Sequence, residues 1–277
     1  MSATILSGRI AREARTATLV ERVKKLGYAP KLAIIQVGDR PDSTAYINAK
    51  KSFAAKIGVD IIHRHEAEQV TQTALISIVQ ECNKDASIQG IIMQLPLPSH
   101  IDTVSIIEAI DPHKDVDGLT TTNYQKMILH ESGAIIPATA RGVFELFRYY
   151  SINVSGKNVV VVGRSRLVGT PIAVLAKQAG AQVVICHSKT PDIAAETKKA
   201  DIVIVAAGKP KLIGADHIKQ GAIVIDIGIT KMPDGTIQGD VDHATVDTKA
   251  SLITPTIGGV GPMTVLGLFE NVLDACK

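Results

Sequence analysis

The chain has 277 residues, of which 45% are hydrophobic and 21% are charged, and its formal net charge is +3. These values are ordinary for a globular enzyme of one large or two modest domains. The small, scattered positive charge and an aromatic content of 3% without Trp argue against nucleic-acid binding through a basic patch or through base stacking. We therefore expect small-molecule partners and no nucleic acid.

The three cysteines, Cys82, Cys186 and Cys276, are far apart and form no C-x-x-C or Cys-His pattern, so no metal site is expected. They are typical of buried thiols in a reducing compartment. No apolar run reaches the ~18 residues of a membrane span, and charged residues precede any long apolar segment at the N-terminus. The expected location is the cytosol, with no membrane contact.

The first half of the chain alternates helical and strand patterns. In order, the patterns predict a helix over residues 5–26, a strand over 31–37, a helix from 42 or 43 to 57, a strand over 59–63, a helix over 71–82, a strand over 90–94 and a helix over 101–110. Asp42 or Ser43 is a candidate N-cap of the second helix, and Gly58 is a candidate end. Because Pro96 and Pro98 cannot continue a central strand, we expect Gln94 at a strand end, facing a cleft.

The second half repeats this alternation, with buried strands predicted near residues 159–162, 182–186, 201–206 and 222–227 and a helix near 172–178. A glycine-rich loop over 254–264 and a terminal helix over 265–276 follow. Strand alternating with helix predicts an α/β fold of two lobes with a cleft between them, the second lobe being a Rossmann-like, doubly wound parallel sheet. The terminal helix is expected to return to the first lobe.

The segment VVVVGRSRLVGTP, from Val159 to Pro171, reads as a buried strand, a tight turn and a helix start, which together can bind a pyrophosphate. Gly163, Ser165 and Val168 occupy the places of the three glycines of the dinucleotide fingerprint, so the match is weak by itself.

The end of the second strand of this lobe reads Cys186-His187-Ser188-Lys189, without the carboxylate that an NAD site normally places there. The cationic Arg164 and the hydroxyl of Ser188 favour a 2′-phosphate and therefore NADP. The alternative interpretation is a solvated arginine and a turn hydroxyl.

Tyr46 and Lys50 are four residues apart on one helix and share a face. A Tyr-x-x-x-Lys pair is also typical of short-chain dehydrogenases, but there it follows the nucleotide turn, whereas here it precedes Gly163. A packed tyrosine beside a solvated lysine is the alternative to a site.

Six segments in this order resemble the bifunctional methylenetetrahydrofolate dehydrogenase/methenyltetrahydrofolate cyclohydrolase (FolD) family: STAYINAK from Ser43, GIIMQLPLP from Gly90, KDVDG from Lys114, GRSRLVGTP from Gly163, CHSKT from Cys186 and GGVGPMT from Gly258. The resemblance covers almost the whole chain. It implies oxidation of 5,10-methylenetetrahydrofolate by NADP to the methenyl cation, and hydrolysis of that cation to 10-formyltetrahydrofolate. It further implies a folate-binding lobe over 1–138 joined by 255–277, a nucleotide lobe over 139–254, and a homodimer formed through an edge of the nucleotide lobe.

The resemblance assigns Lys50 as the cyclohydrolase lysine, Gln94 as its orienting partner, Tyr46 as a folate contact and Asp117 as the acceptor for pterin N–H groups. Leu95 and Gly258, Gly259, Val260 and Gly261 match folate-site positions, and Ile229 matches a backbone contact to NADP alongside Gly163, Arg164, Ser165 and Ser188.

The alternatives are purely structural roles: a strand-end cap for Gln94, an Asp-Gly turn for Asp117 and a flexible connector for the glycine segment. The chain departs from the family pattern at Leu119, Thr120, Ala138, Ala140 and Ile257, so the ratio of the two activities stays open. A dehydrogenase without cyclohydrolase activity and a non-catalytic nucleotide- or folate-binding protein are the competing hypotheses.

Overall fold

The computed structural model describes residues 2–276, in which strands and helices alternate. The strands are β1 (Thr4–Ile5), β2 (Lys31–Val37), β3 (Asp60–Glu66), β4 (Gly90–Met93), β5 (Asn158–Val162), β6 (Gln182–Cys186), β7 (Ile202–Val205), β8 (Ile223–Asp226), β9 (Thr230–Lys231), β10 (Ile237–Gln238) and β11 (Leu252–Ile253). The helices are α1 (Gly8–Leu26), α2 (Pro41–Ile57), α3 (Gln72–Lys84), α4 (Thr103–Glu108), α5 (Thr121–Ile128), α6 (Ala138–Tyr149), α7 (Gly169–Gln178), α8 (Ile193–Thr197), α9 (His243–Val246) and α10 (Val260–Asp274). Within the described part of the chain, no helix combines the length and apolar character needed to cross a membrane.

Contacts divide the chain into two compact units. The six-stranded unit contains the chain up to Arg12 together with Thr139–Thr264, and the three-stranded unit contains Glu13–Ala138 together with the chain from Val265. The sequence had assigned the first twelve residues and the segment 255–264 to the first lobe. Strand pairing explains the difference at the N-terminus, because β1 pairs with β11 and is thereby part of the larger sheet.

The six-stranded unit is built on a fully parallel sheet with the order β1-β11-β8-β7-β5-β6. Its central strands are buried, which explains why β5 reads NVVVV and β7 reads IVIV instead of alternating with polar residues. After β6 the chain crosses back over β5 to form β7. This reversal creates the topological switch point at which doubly wound sheets bind ligands beyond the carboxyl ends of their strands.

The three-stranded unit has the parallel order β3-β2-β4, with β2 in the centre and buried along most of its length. Phe53 of α2 packs edge-to-face on Phe269 of α10, with ring centroids 5.6 Å apart. Both aromatic rings belong to the three-stranded unit, which includes the chain from Val265. The two sheets together confirm the predicted α/β class.

Several helix boundaries differ from the sequence prediction. The first helix begins at Gly8 instead of residue 5, because Thr4–Ile5 belongs to the sheet. Helix α2 begins with Pro41 at its first position and uses no side-chain cap, so the predicted capping by Asp42 or Ser43 is wrong. Its predicted end is confirmed, since Gly58 has φ +82°. No predicted helix range covers α5, α6, α8 or α9.

Candidate active site and nucleotide site

Lys50 lies on the face of α2 that it shares with Tyr46. The ammonium Nζ of Lys50 donates to Gln94 Oε1 at 2.9 Å, and Gln94 Nε2 donates to the carbonyl of Leu95 at 2.9 Å. Gln94 directly follows β4, as predicted, and its two hydrogen bonds fix which end of the amide faces the lysine. The structure therefore brings Lys50, Gln94 and Leu95 together, whereas the ring of Tyr46 is 49% exposed.

Asp117 completes this cluster electrostatically. Burial lowers the pKa of Lys50, and the nearby Asp117 only partly opposes that shift. Burial likewise raises the pKa of Asp117, against the influence of Lys50. Within residues 2–276 the Asp117 carboxylate accepts no hydrogen bond, so its oxygens are available to a ligand's N–H groups.

The turn after Asp117 admits only a glycine. Gly118 has φ +69°, and a Cβ atom there would lie 2.8 Å from the carbonyl oxygen of Ile135 and from the nitrogen of Pro137. Asp115, two residues earlier, is buried and accepts hydrogen bonds from the N–H groups of Leu119 and Thr120. These contacts fix the loop that carries Asp117.

In the six-stranded unit, the turn after β5 also depends on a glycine. Gly163 has φ +127°, and a Cβ atom there would overlap the carbonyl of Ala206. Ser165 Oγ accepts N–H groups from Val168 and Gly169 at 3.1 and 3.3 Å, which ties the turn to the start of α7. The serine that replaces the second fingerprint glycine thus holds the turn together.

A cavity of about 340 Å³ lies beyond the carboxyl ends of β5, β6 and β7. It is lined by Val162, Gly163, Arg164, Ser165, His187, Ser188, Ile193, Ala206, Ala207, Lys209 and Leu212. Four of the five predicted cofactor residues meet here, and none of the lining residues is acidic. Ile229 does not line this cavity, although it follows β8 at the same edge of the sheet, and its side chain is 44% exposed.

The glycine segment differs from the predicted loop. Gly258 has φ +85°, and its carbonyl accepts the N–H group of Arg9 at 3.2 Å. Gly259 lies so close to Gly8 that a Cβ atom on Gly8 would overlap its carbonyl. Val260 and Gly261 form the first turn of α10, so the predicted helix start at residue 265 was five residues late.

Two residues of these sites were missed from the sequence. Asp115 looked like part of a polar connection, although its place two residues before an Asp-Gly turn was a signal for loop anchoring. Lys209 follows β7, and residues that follow parallel strands at a switch point are where ligands are held.

Two family models match the chain. The catalytic domain of tetrahydrofolate dehydrogenase/cyclohydrolase matches residues 2–117, and the NAD(P)-binding domain of the same enzymes matches residues 137–277. Together these matches cover most of the chain, with the catalytic domain first and the NAD(P)-binding domain second. The chain belongs to the tetrahydrofolate dehydrogenase/cyclohydrolase family.

Relatives agree with this assignment over 90% or more of their own lengths. The bifunctional protein FolD of Bacillus subtilis is 44% identical over 100% of this chain and 99% of its own, and that of Nautilia profundicola is 46% identical over 93% and 90%. The crystal structure of FolD from Campylobacter jejuni has a TM-score of 0.96 at 39% identity, covering 100% of this chain and 99% of its own. The Trypanosoma brucei FolD, solved with NADP cofactor and inhibitor, has a TM-score of 0.95 at 38% identity, covering 100% and 98%.

Family membership confirms the dehydrogenase and cyclohydrolase activities that the motifs implied, and it excludes a short-chain dehydrogenase. The enzyme carries both the catalytic and the NAD(P)-binding domain.

Proposed function

We propose that this tetrahydrofolate dehydrogenase/cyclohydrolase oxidises 5,10-methylenetetrahydrofolate with NADP and hydrolyses the resulting methenyl cation to 10-formyltetrahydrofolate, with Lys50 as the base for hydrolysis. The observation that carries this assignment is the Lys50–Gln94 hydrogen bond beside Asp117. It combines an amine of lowered pKa, a fixed orienting amide and a carboxylate that accepts no hydrogen bond from the described residues.

The oxidation needs positioning more than acid–base catalysis. The transferred hydride leaves a carbon between two nitrogens, whose lone pairs stabilise the cation that forms, and bound NADP supplies the acceptor for that hydride. The protein's task is to hold the folate so that this carbon is presented correctly. Asp117 suits this task, because a carboxylate accepts strongly from the amino and ring N–H groups of a pterin.

Hydrolysis requires proton transfer. Water adds to the methenyl carbon and loses one proton. The bond from that carbon to one ring nitrogen then breaks, as the new hydroxyl gives up its remaining proton to form the formyl carbonyl and the departing nitrogen takes up a proton. A neutral Lys50 can accept the proton of the water, and both burial and a cationic substrate favour the neutral amine. Gln94 holds Nζ in place by accepting one of its hydrogens.

NADP is the preferred nucleotide in this proposal. The side chains of Arg164 and Ser188 line the cavity without a carboxylate that would repel a 2′-phosphate. The Trypanosoma brucei relative solved with NADP supports the same preference. Gly163 and Ser165 place the turn where backbone N–H groups can meet the pyrophosphate.

We further propose a homodimer formed through the β6 edge of the large sheet. β6 is a terminal strand, and its Val184 and Ile185 are 43% and 38% exposed, which is unusual for an unpaired edge.

The proposed location of the enzyme is the reducing cytosol. Its three free cysteines, two of them buried, are consistent with that location.

The first test follows absorbance after 5,10-methylenetetrahydrofolate is added with NADP, and separately with NAD, to wild type, Lys50→Ala and Lys51→Ala. Lys51 is the matched control, because its Nζ contacts His63 Nδ1 at 2.9 Å instead of Gln94. Wild type and Lys51→Ala should form NADPH without methenyl build-up. Lys50→Ala should form NADPH and accumulate the methenyl cation.

Methenyl build-up by the wild-type enzyme would show a dehydrogenase without useful cyclohydrolase activity. Complete hydrolysis by Lys50→Ala would remove Lys50 from the mechanism. Folded protein that reduced neither nucleotide would overturn the proposed oxidation.

A further inference from the structure

The wall of the nucleotide cavity formed by the turn after β7 carries a cation that the motifs did not assign. The turn runs from Ala206 to Lys209, and Lys209 lines the cavity together with Arg164. The Lys209 side chain is exposed, and in the described part of the chain it makes no ion pair or side-chain hydrogen bond. Its charge is therefore not neutralised by a protein carboxylate.

The position of this turn is fixed by a buried carboxylate. Asp240 is fully buried, and its Oδ2 accepts the N–H groups of Ala207 and Gly208 at 2.6 and 2.9 Å. The N–H group of Asp240 in turn donates to Asp226 Oδ1 at 3.0 Å, at the end of β8. Because these bonds are charge-assisted and shielded from water, the backbone that presents Lys209 is held firmly.

A neighbouring lysine shows that the placement is specific. Lys211 lies two residues further on, but its Nζ is 3.8 Å from the carboxylate of Asp242, and it does not line the cavity. Of two lysines in the segment Lys209-Pro210-Lys211, one has a carboxylate partner and the other faces the nucleotide cavity.

We propose that Lys209 is a specificity-determining residue that binds the 2′-phosphate of NADP together with Arg164 and Ser188. This inference rests on the proposed preference for NADP. The pyrophosphate already has a suitable partner in the backbone N–H groups of the turn after β5 and the start of α7. The 2′-phosphate carries up to two negative charges at neutral pH and needs side-chain cations, of which the cavity offers Arg164 and Lys209.

The test measures dissociation constants by calorimetry for NADP, NAD, adenosine 2′,5′-bisphosphate and 5′-AMP. The proteins are wild type, Lys209→Met, Lys209→Arg and the matched control Lys211→Met. Lys209→Met should weaken NADP and the bisphosphate about tenfold, the loss of one charge-assisted hydrogen bond, and leave NAD and AMP within about twofold. Lys209→Arg should restore most of the affinity, and Lys211→Met should bind all four ligands like wild type.

The outcomes separate this inference from the proposed function. A wild-type enzyme that binds NAD as tightly as NADP would overturn both. A wild-type preference for NADP that persists in Lys209→Met would overturn the role of Lys209 alone. Equal weakening of NADP and NAD would also overturn it, because the lysine would then contact a part that the two nucleotides share.

Discussion

Asp115 and Asp117 lie two residues apart in the same loop, and burial raises the pKa of both carboxyls. Their hydrogen bonding differs completely. Asp115 accepts from the backbone of Leu119 and Thr120, from the Thr120 hydroxyl at 2.8 Å and from Asn123 Nδ2 at 2.9 Å. Asp117 accepts no hydrogen bond from residues 2–276 and has the charge of Lys50 nearby.

The difference separates a carboxylate that holds the fold from one that is kept for a ligand. A buried carboxylate is expensive unless its oxygens are hydrogen-bonded, and protein donors meet that need at Asp115. The Asp226–Asp240 pair of the six-stranded unit resembles Asp115, because backbone N–H groups of Val241, Ala207 and others meet its oxygens. At Asp117 the donors are expected to come from the pterin.

The largest effect is expected from Asp117→Asn. The amide keeps the shape of the side chain but removes the charge and replaces one acceptor oxygen with a donor. We expect kcat/KM for both activities to fall about 100-fold, as when a preorganised polar contact to a reacting ligand is lost. The free energy of unfolding should rise, because a neutral amide replaces a buried carboxylate that accepts no hydrogen bond from residues 2–276. Steady-state kinetics and urea unfolding of the same preparation measure both quantities.

Asp115→Asn should show the opposite pattern. The single oxygen of the amide cannot accept hydrogen bonds from all four groups that donate to Asp115. The NH₂ group of the amide would also lie against some of these donors and repel them. We expect the free energy of unfolding to fall by about 2–4 kcal/mol, with kcat/KM of the remaining folded enzyme reduced less than in Asp117→Asn. Urea unfolding followed by circular dichroism checks the first value. A stable Asp115→Asn enzyme with Asp117→Asn kinetics would show that the two carboxylates are not separable in this way.

The sequence was sufficient for the parallel sheets, because β2 and β6 follow directly from apolar runs whose bounds match the prediction. Local patterns placed Lys50 on a helix face and Gln94 at a strand end, but only the family resemblance implied that the two residues contact each other, as the structure shows. Helix α6 was not predicted, although its sequence is strongly amphipathic.

The hydrogen-bond partners of the supporting carboxylates could not be predicted from local sequence patterns. Asp240 reaches Ala207 across 33 residues of sequence, a distance that only the pairing order of the strands makes short. The same applies to the segment after Gly258, where the backbone of Arg9 pairs with a residue almost at the other end of the chain. Lys209 was not predicted for the same reason, because its place in the cavity depends on the turn after β7 that contains Ala207.

The smallest effect concerns His243, which tests whether the Asp226 group has a purely structural role. His243 Nε2 is 3.3 Å from Asp226 Oδ2, and Nδ1 is 3.6 Å from Asp247. The hydrogen bond to Asp226 raises the pKa of His243, and this effect outweighs burial, which lowers it. The pKa of His243 therefore lies above the usual 6.5. The protonated imidazole therefore stabilises the fold fully below the unfolded pKa, and this contribution is lost as pH rises through the folded pKa.

His243→Gln should accordingly lower the free energy of unfolding by about 1 kcal/mol at low pH, within the range in which the protein is folded, and by progressively less as pH increases. His113→Gln is the control, because that imidazole lies 3.1 Å from Asp111 but is 89% exposed, and solvent screens such a pair. Urea unfolding at a series of pH values measures the difference. A constant difference between wild type and His243→Gln would mean that packing of the ring, and not its charge, supports the end of β8. Loss of activity without loss of stability would instead place Asp226 with Asp117, among the carboxylates kept for a ligand.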